Sequence, residues 1–203
     1  RLPEPGLGTG LYGDRIRVAE AGHEADGGEG EWELTSIRDE ILVNQSRCQY
    51  RARRSEQVLP EGFIEFHFLL AGSTSVELSE TGQVSIGTPN LTIIRQGEDA
   101  HYTVSCGPGT WRSVGIHMPK PVFQRFVRAA VGTDSPILAL IDDVGSQQIA
   151  LHQMLLSVDA LNAAEQLLSN PYEGYRRLLY VEAKVYEVLC ASLDLWHANI
   201  DRQ

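Results

Sequence analysis

The stretch FIEFHFLLAG, residues 63–72, decides the fold. Side chains of a strand alternate between its two faces, so Ile64, Phe66, Phe68 and Leu70 form one continuous apolar row. Phe63, Glu65, His67 and Leu69 take the other face, with the carboxylate and the imidazole roughly 7 Å apart. The apolar row needs a covering layer, and the second face must meet water, a ligand or a metal.

Outward from this strand the same two-fold period holds from Arg15 to about Met118. RIRVAE, EWELTSIR, EILVNQSRCQ, TSVELS, QVSIG, LTIIRQ, AHYTVS and WRSVGIHM are short segments separated by Gly, Pro, Asn and Asp. Such spacing predicts an antiparallel sandwich or barrel with no parallel crossover. AGST and SETGQ read as hairpin turns, Gly82 providing a positive φ.

After Met118 the period becomes 3.6. PKPVFQRFVRAA (residues 119–130) predicts a short amphipathic helix with Val122, Phe123, Phe126 and Val127 on one side. SQQIALHQMLLSVDALNAAEQLLSN (146–170) predicts a second helix capped by Ser146. PYEGYRRLLYVEAKVYEVLCASLDLW (171–196) predicts the longest, about seven turns. Tyr175, Leu179, Tyr186, Leu189, Leu193 and Trp196 form one stripe on it, interrupted by Glu182. Leu178, Val181, Val185, Val188 and Leu195 form a second. Two apolar stripes call for two partners, one within the chain and one in a second copy. The expected dimer contact is Tyr175, Leu178, Leu179, Glu182, Val185, Tyr186, Leu189 and Leu193. The alternative is a helix buried inside one domain.

Composition narrows the function. Seventeen basic and twenty-seven acidic residues in 203 give a formal charge of -10, which repels a phosphate backbone. No apolar run approaches the length of a membrane span, and RLPEPGLGTG lacks the core of a signal peptide, so a cytoplasmic location and no membrane partner are expected. Cys48, Cys106 and Cys190 are widely spaced and read as reduced packing residues. Arg1 in place of Met and the polar end HANIDRQ suggest trimming at both ends. EAGHEADGGEGE (20–31) reads as a loop, and GTGLYGD (8–14) as an arm rather than a nucleotide loop. Gly-x-Ser-x-Gly, a phosphate-cradling loop and His-Glu-x-x-His are all missing, so no catalytic residue and no cofactor are assigned.

GFIEFHFLLAGSTSVEL, RSVGIHMPKPVFQRFV and YRRLLYVEAKVYEVL, with their spacing, resemble the N-terminal half of AraC/XylS-family transcription regulators of the pyochelin-regulator branch. The resemblance implies an α+β chain, a cupin-like antiparallel β-barrel (jelly roll) followed by a helical dimerisation region. The division is then 1–118, an effector-binding barrel with its arm, and 119–203, helical. It also implies a homodimer, a small-molecule effector of siderophore-like kind, and DNA contact only through a C-terminal helix-turn-helix domain absent from this chain.

The resemblance places the acidic residue of the 63–72 strand toward the cavity, so Glu65 and His67 are expected to line an effector site. The alternative is a pair hydrogen-bonded to neighbouring strands. Arg38, His101, Tyr102, Trp111 and Arg112, with Trp32, complete the candidate lining, because aromatic and Arg side chains suit a concave site. In RARRSEQ, alternation gives Arg51 and Arg53 one face, open to an anionic effector or the partner DNA domain; the preferred reading of Arg51, Arg53 and Arg54 is a solvated edge strand whose charges discourage aggregation. Two rivals stay open: a metal-dependent cupin enzyme using Glu65, His67 and His101, with His117 on the last strand, and a barrel that binds a protein partner. No metal ligand is assigned.

Overall fold

The computed structural model describes residues 14–17, 28–38, 40–58, 62–78, 82–142, 145 and 148–200. Eleven strands and four helices follow in chain order: β1 (Asp14–Arg17), β2 (Glu29–Ile37), β3 (Ile41–Tyr50), β4 (Arg54–Val58), β5 (Phe63–Ala71), β6 (Thr74–Leu78), β7 (Gly82–Ile86), β8 (Asn90–Gln96), β9 (Tyr102–Cys106), β10 (Gly109–Pro119), α1 (Lys120–Ala130), α2 (Pro136–Asp142), β11 (Ile149–Leu155), α3 (Val158–Leu168) and α4 (Gly174–Ile200).

The strands pair antiparallel throughout, in a seven-stranded sheet of order β1-β2-β3-β10-β5-β8-β11 and a four-stranded sheet of order β4-β9-β6-β7. The chain crosses between them repeatedly, giving the jelly roll of an α+β, cupin-like fold.

The larger sheet is covered on both faces, and β5 shows why its sequence alternates as it does. Ile64, Phe66 and Phe68 point to the helices and are fully buried with Ile93, Val114, Ile116, Phe123, Val127, Ala164, Val185 and Leu189. Phe66, Phe123 and Trp196 form a three-ring contact, with centroids 5.6, 6.4 and 6.3 Å apart. The opposite face turns toward the small sheet, where Leu69 joins Cys48, Tyr50, Val76, Ile94, Tyr102 and Trp111 in a second cluster. Polar clasps hold the helical layer in place: Arg112 binds Glu165 of α3 at 2.5 and 3.1 Å, and Arg47 donates to the Leu168 carbonyl. On α4, Arg177 pairs with buried Glu33 of β2, and Glu182 with Arg38 at 2.7 Å.

Three expectations change. Ile149–Leu155 is a strand, not the start of a helix capped by Ser146, which lies outside the described residues; it pairs with β8 from Ile149↔Gln96 to Leu155↔Asn90. The exposed edge of β8 outbids helix propensity, as tertiary pairing commonly does. Residues 119–203 therefore contribute a strand to the sheet. Helix α3 begins only at Val158, where Ser157 Oγ accepts from the Ala160 N–H at 3.2 Å. Helix α2, opened by Pro136, was not anticipated. AGST is a corner that passes β5 of one sheet to β6 of the other, not a hairpin; β6 and β7 pair antiparallel, and residues 79–81 of SETGQ between them lie outside the described residues. On α4, Val185, Leu189 and Leu193 are 0, 0 and 2% exposed, taken up by the chain's own core. Tyr175 (55%) and Leu179 (48%) stay in solvent, and Leu178, Glu182 and Tyr186 are half-buried. The arm and most of the 20–31 loop lie outside the described residues, although β2 already begins at Glu29.

Gly72, at the corner, has φ +107°, and a Cβ there would lie 2.9 Å from the Thr110 carbonyl oxygen and 3.0 Å from Trp111 Cε3. Gly72→Ala therefore combines a strained φ with a backbone clash. We expect a loss of about 2 kcal/mol in urea unfolding with an unchanged slope.

Candidate functional site

The lumen between the sheets is lined by side chains whose positions follow from strand register. Glu65 of β5 stands beside His117 of β10 and Ile94 of β8; His67 stands beside Gly115 and Thr92. From the small sheet, Tyr102 of β9 reaches across, its hydroxyl donating to the Glu65 carboxylate with 3.0 Å to each oxygen. His117 Nδ1 lies 3.7 Å from Glu65 Oε2. Gly115 makes room for this imidazole, since a Cβ at 115 would sit 2.9 Å from His117 Nε2. His67 stacks on Trp111, centroids 6.0 Å apart at 27°, and the Trp111 indole N–H donates to Ser113 Oγ at 3.0 Å.

These groups form a polar cluster among the apolar side chains that line the lumen. Water still reaches it: the Glu65 and His117 side chains are 15 and 23% exposed, whereas Ile64 and Phe66 on the reverse face of the same strand are at 0%. Trp32, Val84, Val104 and Leu151, packed against the lumen cluster, are likewise only half-buried. A carboxylate in such a setting offers acceptors to a ligand's N–H or O–H, and the imidazoles offer a donor or a lone pair.

Of the candidate residues, Glu65, His67, Tyr102 and Trp111 come together, with Trp32 on the same lining. Three do not. Arg38 sits on the β2–β3 turn at φ +51°, 70% exposed and paired with Glu182. His101 is exposed ahead of β9. Arg112 points to the helical layer, on the face it shares by ordinary alternation with Val114, Ile116 and Met118, whereas Trp111 and Ser113 turn to the lumen. The Glu65, His67, His101 set is thus not assembled, and among the described residues no three His, Cys, Asp or Glu side chains converge to hold a metal ion.

Arg54, expected on a solvated edge strand with Arg51 and Arg53, is instead buried. Strand β4 starts at this residue, so Arg54, Glu56 and Val58 share the face that Val58 turns toward the lumen cluster. Arg54 is 5% exposed, its guanidinium 4.7 Å above the Trp32 ring. The signal was Val58, an apolar residue in phase with Arg54 rather than with Arg51 and Arg53. Cys48 and Cys106 lie beside it, buried enough that desolvation raises both thiols and keeps them protonated.

Burial lowers the His67 imidazole to about 4, and the nearby His117 acts in the same direction. His67 is therefore neutral in the folded protein at pH 7, while in the unfolded chain it takes up a proton near its ordinary 6.5. The unfolded state binds more protons between these values, so stability is lost as pH falls from about 6.5 to 4. We expect His67 to account for on the order of 2–3 kcal/mol of this loss. Urea unfolding across that range should be visibly flatter for His67→Gln; an equal slope would remove His67 as the cause.

No curated protein matches the sequence. Among solved structures, the chain is similar to the AraC-like transcriptional activator CuxR, at 13% identity and TM-score 0.47 over 90% of this chain and 62% of that one. It is similar to an apo ToxT variant from Vibrio cholerae strain SCE256, at 12% identity and TM-score 0.52 over 75% of this chain and 54% of that one. It also resembles the cupin domain of Schizosaccharomyces pombe Cnp3, at 14% identity and TM-score 0.37 over 53% of this chain and 74% of that one. The chain thus spans less than two thirds of the length of CuxR and of ToxT, and the ToxT likeness speaks for the fold. Residues 29–203 match the family described as the regulatory protein PchR N-terminal domain. The chain belongs to that family.

Proposed function

We propose that this chain is the effector-sensing and dimerising part of a cytoplasmic AraC-type transcription regulator, without catalytic activity of its own. A small molecule, of siderophore-like kind, enters the lumen. DNA is contacted by a helix-turn-helix domain elsewhere in the regulator, in keeping with the acid excess of this chain. The observation that carries the reading is the Glu65–Tyr102 bond between the two sheets, a polar anchor that water reaches among the apolar side chains of the lumen. Family membership supports it independently. Among the described residues no helix is long and apolar enough to cross a membrane.

Strand β2 supplies a route from lumen to helix. Trp32 faces the lumen, and the next residue, Glu33, holds Arg177 of α4 on the reverse face. A ligand that displaces Trp32 shifts the seat of α4, and it biases the equilibrium by its difference in affinity for the two seats. The second copy docks on the early turns of α4, where Tyr175 and Leu179 are exposed and Leu178 is half-buried, together with exposed Tyr172 just before the helix.

A thermal-shift screen of aromatic and chelating small molecules tests the sensor. At a hundredfold excess over Kd a true effector adds about 2.7 kcal/mol, a rise of roughly 5–10 °C in a chain of this size. Glu65→Ala should abolish the rise. Stoichiometric bound metal that disappears in His67→Ala would instead indicate a metalloenzyme. For the dimer, sedimentation of Leu179→Glu should give a folded monomer, whereas Leu189→Glu, which buries a charge in the core, should fail to fold. An unchanged dimer mass in Leu179→Glu would overturn the α4 contact.

A further inference from the structure

His67 lies deep in the lumen and yet meets water. Burial holds its imidazole neutral at pH 7, while the residue stays half-buried rather than closed off. One face of the ring stacks on Trp111 at 6.0 Å. Its polar neighbours spend their hydrogens elsewhere: the Trp111 N–H goes to Ser113 Oγ, and on β8 the Thr92 hydroxyl goes to Asn90 Oδ1 at 3.0 Å. A neutral imidazole carries a lone pair on one nitrogen, so His67 brings into the lumen an acceptor that neither neighbour supplies with a hydrogen.

Glu65 stands two residues earlier on the same face, roughly 7 Å away at the backbone. Tyr102 donates its hydroxyl to both carboxylate oxygens at 3.0 Å, a geometry that suits the ionised group. A hydroxyl is neutral, so the negative charge stays in the lumen. His117 lies between the two acceptors: its Nδ1 is 3.7 Å from Glu65 Oε2, and its Nε2 sits over Gly115, the register partner of His67. The guanidinium of Arg54 is farther off and paired with Glu56; Arg54 is in register with Cys106, four residues along β9 from Tyr102. With the imidazoles neutral, Arg54, Glu56 and Glu65 sum to a negative charge, placed at the Glu65 end. An anion entering there is repelled, whereas a cation bearing N–H groups is attracted and finds acceptors for them.

We infer that this end of the lumen selects a flat organic cation whose charge is carried on N–H groups, an aromatic amidine or a protonated aminoheterocycle, one nitrogen donating to Glu65 and another to His67. An amidinium sets two nitrogens on one planar carbon with their hydrogens directed outward, and so bridges acceptors that stand in phase on a strand. Ile94, the register partner of Glu65, and Val104, in phase with Tyr102, give apolar surface to the aryl body. This rests on the lumen being the effector site and adds the chemical class that it admits.

Three probes of nearly equal shape separate charge from packing: benzamidine, benzamide and benzoate, titrated against the whole chain by calorimetry. The titrations are run at about pH 8, above the range in which histidines ordinarily take up a proton, and in about 0.15 M salt, which screens the acidic surface more than a half-buried pair. Benzamidine should bind at one site, about tenfold or more tightly than benzamide, with benzoate weakest. Glu65→Gln should level benzamidine and benzamide. His67→Phe, which keeps a flat ring on Trp111, should weaken both severalfold and leave their ratio. Equal affinity of benzamidine and benzamide in the wild type, or a preference for benzoate, overturns the inference without any variant, so a folding defect cannot mask the answer. An undiminished ratio in Glu65→Gln overturns it as well, as does unchanged affinity in His67→Phe. If none of the three binds while other compounds still raise the melting temperature, the cation reading falls and the lumen keeps its role. If no compound of any class binds, both readings fall.

Discussion

Everything in this structure depends on one sheet having to be covered twice. The seven-stranded sheet carries fully buried apolar side chains on its outer face and a mixed lining on its inner face, and neither can be left to water. The helices cover the first and the four-stranded sheet covers the second. Because a strand assigns neighbouring residues to opposite faces, every position on β5 belongs either to the helical core or to the lumen. The two layers are therefore joined through single peptide units: Phe66 touches the helices while Glu65 and His67, its neighbours, face Tyr102 and Trp111 between the sheets.

The unequal treatment of the two faces explains where chemistry can reside. The helical side is packed to exclusion, with rings and aliphatic chains at zero exposure. The lumen holds a carboxylate, two imidazoles, a phenol and a guanidinium, each with partners drawn from a different strand or sheet. Polar groups at this depth require satisfied hydrogen bonds. Bridging from sheet to sheet satisfies them while leaving some of them within reach of solvent.

Much of this was legible in the residues. The alternation of FIEFHFLLAG gave both faces of β5 correctly, and the change of period after Met118 marked the helical layer. What failed did so for identifiable reasons. IALHQML has no strict alternation, and only the open edge of β8 makes it a strand. Arg112 has the right residue type for a lumen site, yet alternation sets it on the face opposite Trp111, in phase with Val114 and Ile116 under the helices. On α4 both apolar stripes were visible, but the sequence could not say that Val185, Leu189 and Leu193 would be claimed by α3 and the sheet, because that depends on packing between distant segments. Arg54 was hidden in a run of arginines; where the strand begins decides which of them faces inward.

Strand β11 has a consequence for how the chain comes to be folded. Strand β8 is central in sequence, but one flank of it stays open until residues 149–155 arrive. During synthesis the nascent jelly roll is thus exposed to sticking along that edge while more than fifty further residues leave the ribosome. The helices that follow immediately then seal the outer face, so the last third of the polypeptide acts as the lock that ends this vulnerable interval.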